Sequence, residues 1–271
     1  MANDEKKLLL ELRDKIDGID EKIGSLISER AKCAQEVAAV KRRFQNEGDP
    51  IFYRPEREAQ VLRKAMERNA GPLDNEDYAR LFREIMSACL ALEEPTKVAY
   101  LGPEGTFTQQ ASIKHFGHAA KTMSMPAIDD VFREVEAGAV KFGVVPVENS
   151  TGGVVAHTLD SFLTSNLKVC GEVVLRIHHH LMASEVTKVD KISRIYSHSQ
   201  SFAQCRLWLD THYPNAQRIA VNSNADAAKR IKTEWNAAAI AGRMAAELYD
   251  LNIISEKIED RPDNALSLIH I

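Results

Sequence analysis

The 271-residue sequence is short of several features, and each shortage removes a class of function. Its four cysteines, Cys33, Cys89, Cys170 and Cys205, lie far apart with no Cys-x-x-Cys spacing, so they read as reduced, structural thiols. No apolar run approaches membrane-spanning length, and the opening Met1-Ala2-Asn3-Asp4-Glu5-Lys6-Lys7 lacks the apolar core of a signal peptide. A cytoplasmic protein with no membrane partner is the expectation. Positive charge is not in excess: the net charge of −4 argues against a general nucleic-acid binder. Gly102-Pro103-Glu104-Gly105 has neither the Lys-Ser/Thr of a P-loop nor the dinucleotide spacing. His178-His179-His180 suggests a metal only superficially, because neighbours in an extended run point to opposite faces and cannot converge on one ion. What remains is a chain of 44% hydrophobic content, enough for a substantial core and, at this length, two domains.

The first forty-odd residues read as one long helix. Leu12, Ile16, Ile19, Ile23, Leu26, Cys33, Val37 and Val40 recur at alternating spacings of four and three, which keeps one face toward partner helices. Arg30 occupies the gap between Leu26 and Cys33. A guanidinium in an apolar seam is costly unless an anion meets it, whether a side chain or a ligand. Arg13 and Lys41 lie at the edge of the same stripe. Arg30 and Lys41 are about three turns and roughly 16 Å apart on nearly the same face, close enough for two long side chains to bend toward one small anion. Arg13 is about 25 Å from Arg30 along the axis. It cannot share that pocket within one protomer, so the spacing implies a dimer whose partner receives Arg13.

After the loop Asn46-Glu47-Gly48-Asp49-Pro50, Arg54-Pro55-Glu56 opens a second helix that Gly71-Pro72 ends. Glu58 shares its apolar face with Leu62 and Ala65, with Arg57 adjacent. A third helix begins near Leu73-Asp74-Asn75 and carries Tyr78, Phe82, Ile85, Cys89 and, one step further, Glu93. For Glu58 the bland alternative is a salt bridge to an inward cation; for Glu93 it is exposure at a helix end. Glu94-Pro95-Thr96 is a hinge, after which short strands and helices alternate to the end of the chain, predicting an α/β domain with a largely parallel sheet. Four turns, Gly102 to Thr108, Glu148 to Gly153, Ser197 to Ser201 and Ser223-Asn224, are placed where strands end and helices begin. Each alone is an ordinary cap; together they point to a cleft for carboxylates or phosphates.

These features together resemble the bifunctional chorismate mutase–prephenate dehydratase family. The first ninety-odd residues resemble an all-helical mutase domain of the intertwined-dimer type. The second part is similar to a prephenate dehydratase through Gly102-Pro103-Glu104-Gly105-Thr106-Phe107, Val145-Pro146-Val147-Glu148-Asn149-Ser150, Ser197-His198-Ser199-Gln200 and Ile258-Glu259-Asp260-Arg261-Pro262-Asp263-Asn264. The resemblance implies a mutase domain at 1–94 and a two-lobed, periplasmic-binding-protein-like dehydratase domain at 97–271, with one lobe at 97–176 plus 250–271 and the other at 177–249. It implies chorismate and prephenate as substrates, a homodimer through the first helix, no cofactor and no metal. Arg13 would cross to the partner's site, Arg30 and Arg57 would hold carboxylates, Lys41 the ether oxygen of chorismate, and Glu58 would accept the ring hydroxyl. In the second domain Asn149, Ser197 and Gln204 would carry the chemistry, Ser223 would line the cleft, and Thr106 would contribute through its helix turn.

The sequence also departs from the family pattern. Glu93 stands where some relatives carry a Gln that donates to the ether oxygen, so Glu93 must be protonated to do the same. Arg54 and Cys89 differ from some relatives and are given no role. After Asp263-Asn264 the pattern calls for a variable residue and then Thr-Arg-Phe, whose threonine is the expected acid for hydroxide departure. Here Leu266 takes its place, and the phenylalanine-binding ACT domain that usually follows is absent. The expectations are an active mutase, a severely weakened dehydratase and no phenylalanine effector site. Two rivals stay open: a mutase with a vestigial dicarboxylate-binding second domain, and a non-catalytic binding protein whose helices only dimerise.

Overall fold

The computed structural model describes residues 2–44 and 52–271, with side chains from Asp4 onward. The expected loop at 46–50 lies outside the described residues. The chain divides into two compact units, one of residues 1–96 with 117–119 and one of 97–116 with 120–271.

The first unit is three helices. Helix α1 spans Ala2–Phe44, 43 residues and about 65 Å of axis. Arg54 precedes α2, Pro55–Arg68, without a side-chain capping bond, and the proline takes the first helical position, where its missing N–H costs nothing. Asp74 caps α3, Asn75–Glu93, its carboxylate accepting from the Asp77 N–H. Helix α3 packs against both α1 and α2. Among the described residues of α1 only Ala38 is buried. Its seam lies open: Ile16 is 54% exposed and Leu26 63%. Among the described residues most of this apolar stripe is left uncovered, although α1 packs on α3.

The second unit holds two sheets. In the first, β1 (Lys97–Leu101) runs parallel to β2 (Lys121–Met125) and to β3 (Phe142–Asn149), with the hairpin strand β4 (Gly153–Val154) on β3. Helices α4 (Phe107–Phe116), α5 (Ile128–Glu136) and α6 (Ala156–Thr164) pack on this sheet. Strand β5 (Gly171–Arg176) completes the far edge. The second sheet is built from β6 (His180–Ala183), β7 (Arg194–Ser197), β8 (Gln217–Ala220), β9 (Ala237–Ala241) and β10 (Asn252–Ser255), in the order β10-β6-β9-β7-β8. Its helices are α7 (Ser199–Gln204), α8 (Arg206–His212), α9 (Asn224–Ile231) and α10 (Arg243–Tyr249). The final strand, β11 (Ala265–His270), returns to the first sheet and inserts antiparallel between β3 and β5.

Small side chains set the packing of the second sheet. Strand β9 reads Ala-Ala-Ala-Ile-Ala and is fully buried, and Ala227, Ala228, Ala245 and Ala246 of α9 and α10 join it in one core. Methyl groups on facing surfaces allow helix and sheet to approach closely at native density. Around the first sheet the larger Val131 and Phe132 of α5 fill the core against Ala99 and Val145.

Two expectations need correction. The sheet is not one largely parallel sheet but two mixed ones: β2-β1-β3 and β8-β7-β9 are parallel cores, and β11, β5, β6 and β10 add antiparallel strands. The lobes also divide later than residue 250. Strand β10 pairs with β6, and Ile258 is buried in the second sheet's core beside Leu181 and Ile240. The chain therefore crosses back to the first lobe between Ile258 and β11. The reason is hydrophobic: Ile253, Ile254 and Ile258 pack into the apolar clusters of the second sheet.

Candidate functional site

Two sites emerge, one in each unit. In the helical unit Lys41, on the last turn of α1, is half-buried and donates to the Phe52 carbonyl at 3.2 Å. Its Nζ lies 3.9 Å from Glu93 Oε2. Arg42 donates to the Glu93 carbonyl at 2.6 Å, and both cations stack over the Phe52 ring, at 5.2 and 5.3 Å. Glu93 Oε2 is buried and, among the described residues, makes no hydrogen bond. Burial pushes the Glu93 carboxyl above its ordinary range, against the downward pull of Lys41, Arg42 and Arg30. The exposed-end alternative for Glu93 is thereby removed.

Glu58 faces inward from α2 and meets Arg83 of α3, Oε1 to Nε, at 3.5 Å. Burial raises its carboxyl too, opposed by Arg83 and by a hydrogen bond from Tyr53. Arg83 was missed from the sequence, although it sits beside Phe82 in the way that Arg13 sits beside Leu12. Arg13, Arg30 and Arg57 are exposed. Among the described residues Arg57 reaches only Gln60, at 3.5 Å. Among the described residues Arg13 and Arg30 form no ion pair, so the unit presents unpaired cations, while burial raises the Glu58 and Glu93 carboxyls against the pull of the cations beside them. Such a basin suits a small dianion.

In the α/β unit a cleft of about 380 Å³ is lined by Thr106, Asn149, His179, Gln204, Ser223 and Asn224, together with the starts of α4, α7 and α10. Three of the four expected turns do connect a strand to a helix. The fourth, 148–153, instead makes a tight turn into β4. Asn149 builds it: its Oδ1 accepts from the Thr151 N–H at 3.0 Å, the Gly152 N–H at 2.9 Å and the Thr151 hydroxyl at 2.7 Å. With Gln200 Nε2 as a fourth, longer donor at 3.5 Å, that oxygen is fully occupied, leaving the Asn149 amide NH2 for the cleft. Thr106 ties its hydroxyl to the Pro103 carbonyl at 2.9 Å, and Ser223 caps α9 by accepting from the Asp226 N–H at 3.0 Å. Gly242 is the one residue that fits at the start of α10, since a Cβ there would meet the Phe107 ring at 2.9 Å.

Ser197 corrects an expectation. Its hydroxyl is fully buried, 2.9 Å from Asn224 Oδ1 and 3.1 Å from the Ile240 carbonyl, and is not part of the cleft wall. It holds Asn224, which also accepts from the His198 N–H at 2.9 Å and donates to Ser201 at 2.8 Å. Asn224 thus locks the β7–α7 turn to the start of α9; the sequence marked it only as a turn residue. The three histidines go separate ways: His178 to Glu259 at 2.7 Å, His179 to Gln204 at 2.7 Å, and His180 to the Lys257 N–H at 3.2 Å. Leu266 lines the cleft and pairs across the sheet with Asn149.

The prephenate dehydratase family model matches residues 98–266, and the chorismate mutase type II model matches residues 12–94. The two matches fall on the two units. A bifunctional chorismate mutase/prephenate dehydratase of Pseudomonas aeruginosa is 66% identical over 272 residues, covering 100% of this chain and 74% of its own length. The chain belongs to the bifunctional chorismate mutase/prephenate dehydratase family. The protein of that description from Neisseria gonorrhoeae is 51% identical over 260 residues, covering 95% of this chain and 70% of its own. Among solved structures, the prephenate dehydratase of Arthrobacter aurescens in complex with L-Phe is 33% identical with a TM-score of 0.61, covering 65% of this chain and 59% of that one. The Staphylococcus aureus prephenate dehydratase is 27% identical with a TM-score of 0.54, covering 65% and 66%. The architecture is the one the resemblance implied, a helical domain followed by a two-lobed α/β domain. Among the described residues no helix is long and apolar enough to cross a membrane.

Proposed function

We propose that the chain rearranges chorismate to prephenate in its helical unit and converts prephenate to phenylpyruvate in its α/β cleft, two steps of phenylalanine biosynthesis. The observation that carries the reading is the pairing of two family matches with two units, each holding its own anion-binding arrangement. In the first step one C–O bond breaks and one C–C bond forms within a single molecule. No nucleophile or proton shuttle takes part, so the protein acts by holding a compact conformer and meeting charge on the ether oxygen. Arg30 and Arg57 hold the carboxylates, Lys41 and protonated Glu93 point at the ether oxygen, and Glu58, steadied by Arg83, accepts the ring hydroxyl. In the second step a carboxylate leaves as carbon dioxide, and the ring hydroxyl leaves with a proton as water. Aromatisation drives the step. The Asn149 and Gln204 amides and the helix starts around Thr106 and Ser223 receive the carboxylates.

The chain acts as a homodimer through α1. The open apolar seam supports this, because burying it removes a long stripe from water at about 25 cal/mol per Å². The pairing also brings Arg13 to the partner's site. Loss of chorismate ultraviolet absorbance and appearance of phenylpyruvate, each measured with purified protein, test the two activities together. A protein that binds prephenate without turning it over would restore the binding-protein reading.

Glu93 sets the pH dependence of the first step. Its carboxyl is raised by burial, and only the protonated form donates to the ether oxygen, so the rate falls as pH climbs through the raised value. Glu93→Gln keeps a donor at every pH and flattens the profile. An unchanged profile of kcat/KM against pH in that variant removes Glu93 from the mechanism.

The side chain of Leu266 has no proton to give, so departure of the hydroxyl proceeds without a dedicated acid at that place. Leu266→Thr is expected to raise phenylpyruvate formation by about 10²-fold, the ordinary worth of a positioned general acid. Equal rates in the two proteins would mean that another cleft group supplies the proton.

A further inference from the structure

His179 is fully buried beneath the cleft, and the reading of the cleft as a prephenate site gives it no task. Its neighbourhood is specific. Glu259 Oε2 accepts from the His179 N–H at 2.9 Å, while Glu259 Oε1 takes His178 Nδ1 at 2.7 Å, so one carboxylate pins the backbone on which the ring is mounted. The Phe107 ring meets the imidazole edge-on, with centroids 6.0 Å apart. His179 Nε2 lies 2.7 Å from Gln204 Oε1, Gln204 Nε2 donates to the Thr151 hydroxyl at 2.5 Å, and that hydroxyl donates to Asn149 Oδ1 at 2.7 Å. The chain of contacts runs from the second lobe to the first.

The direction of every hydrogen bond in this chain follows from its far end. Two backbone N–H groups, of Thr151 and Gly152, point at one atom of the Asn149 amide, and only an oxygen can accept both. With that oxygen in place the Thr151 hydroxyl must donate to it, since an oxygen cannot give a proton back. The hydroxyl is then left to accept, so Gln204 must present its NH2 to Thr151 and its carbonyl to His179. A carbonyl accepts only, and the ring must therefore carry its proton on Nε2. His179 Nδ1 is buried and, among the described residues, has no partner. A proton there would be an orphaned donor, costing about 1–3 kcal/mol. Burial accordingly holds the imidazole below its ordinary range, on the neutral side.

We propose that His179, as a neutral Nε2–H imidazole, is a positioning residue for the dehydratase step: the Asn149 turn sets the polarity of the Gln204–Thr151–Asn149 chain, and the ring closes that chain by donating to Gln204 Oε1, which holds the Gln204 amide with its remaining N–H toward the carboxylates of prephenate. Without the ring, Gln204 Oε1 loses its donor and the amide is held only at its Thr151 end, so its remaining N–H is no longer fixed toward the anion.

Two measurements test this on the full chain. Histidine-labelled protein, with His179 assigned by its loss in His179→Gln, is expected at pH 7 to show nitrogen resonances of an Nε2–H ring. The Nδ1–H tautomer or an imidazolium at that pH overturns the proposal, whether or not the chain turns over prephenate. The second measurement is phenylpyruvate formation. His179→Leu is expected to lose about tenfold or more in kcat/KM, equivalent to about 1.4 kcal/mol, while His179→Gln, which returns an N–H at the same reach, recovers most of it. In a Gln204→Ala background His179→Leu costs nothing further, because its effect passes through Gln204. Equal losses in the Leu and Gln variants, or losses that add in the double variant, assign His179 to packing alone. Unchanged circular dichroism spectra and melting curves in each variant verify the fold. A parent chain that makes no phenylpyruvate counts against the cleft reading, whereas the ring tautomer decides the polarity by itself.

Discussion

Arg13→Ala and Arg30→Ala are each expected to lower kcat/KM for chorismate rearrangement by about 10²- to 10³-fold, the loss typical of removing one charge-stabilising donor. Mixing the two inactive proteins under conditions that exchange subunits should then restore roughly a quarter of the parent activity. The arithmetic follows from a site that takes Arg30 from one chain and Arg13 from the other. Random exchange makes half of the dimers mixed, and each mixed dimer has one intact site and one site lacking both cations. Both arginines are exposed on α1 and form no ion pair among the described residues, so neither change opens a cavity or strands a charge. Alanine is also the best helix former, and the 43-residue helix loses nothing in propensity. Activity is thus separated from stability, as circular dichroism melting curves of the two variants should verify. Recovery no greater than the sum of the two variants would place Arg13 and Arg30 in unconnected roles and remove the argument for a shared site.

The second large effect is expected at Asn149. Its oxygen already holds three local donors within 3.0 Å, so its NH2 is the part left for substrate. Asn149→Ala removes the turn's acceptor and the cleft's donor together, and phenylpyruvate formation should fall by about 10²-fold or more. Asn149→Asp separates the two contributions. An aspartate keeps an oxygen for the Thr151 and Gly152 N–H groups, but it places a second, charged oxygen where the amide donated. If Asn149 only builds the turn, Asp restores activity; if its NH2 meets a carboxylate, Asp is at least as damaging as Ala, because like charges are then forced together. The second result is expected, with chorismate rearrangement unaffected in both variants. Rates of each step measured side by side on the same preparations decide between them.

Some of this was legible from residue order. The four-and-three repeat from Leu12 to Val40, Arg30 in its gap and Arg13 out of reach of Lys41 are local periodicities, and local periodicity survives as helix geometry. The strand-to-helix turns of the second unit were also readable, because Ser223 and the start of α4 use short-range capping chemistry. Other features depended on what lay opposite. Glu58 could be placed on an apolar face, but its partner Arg83 is on another helix. Ser197 looked like a cleft hydroxyl, yet β7 turns it inward to Asn224 and Ile240. Strand β10 joined the second sheet because its isoleucines found apolar neighbours there, a comparison of two surfaces that are far apart in the sequence.

By itself, then, the sequence determined that α1 is a long amphipathic helix carrying cations on an apolar seam, and that a hinge near residue 95 separates it from an α/β unit with polar turns at its strand ends. Both follow from interactions spanning a few residues, whose energies do not depend on the rest of the fold. Only the tertiary structure decided that Glu93 buries its Oε2 beside Lys41, that Asn149 spends its oxygen on its own turn, and that His179 stands behind Gln204. Those outcomes set protonation and donor direction, and both depend on desolvation and on which group faces which across tens of residues of chain.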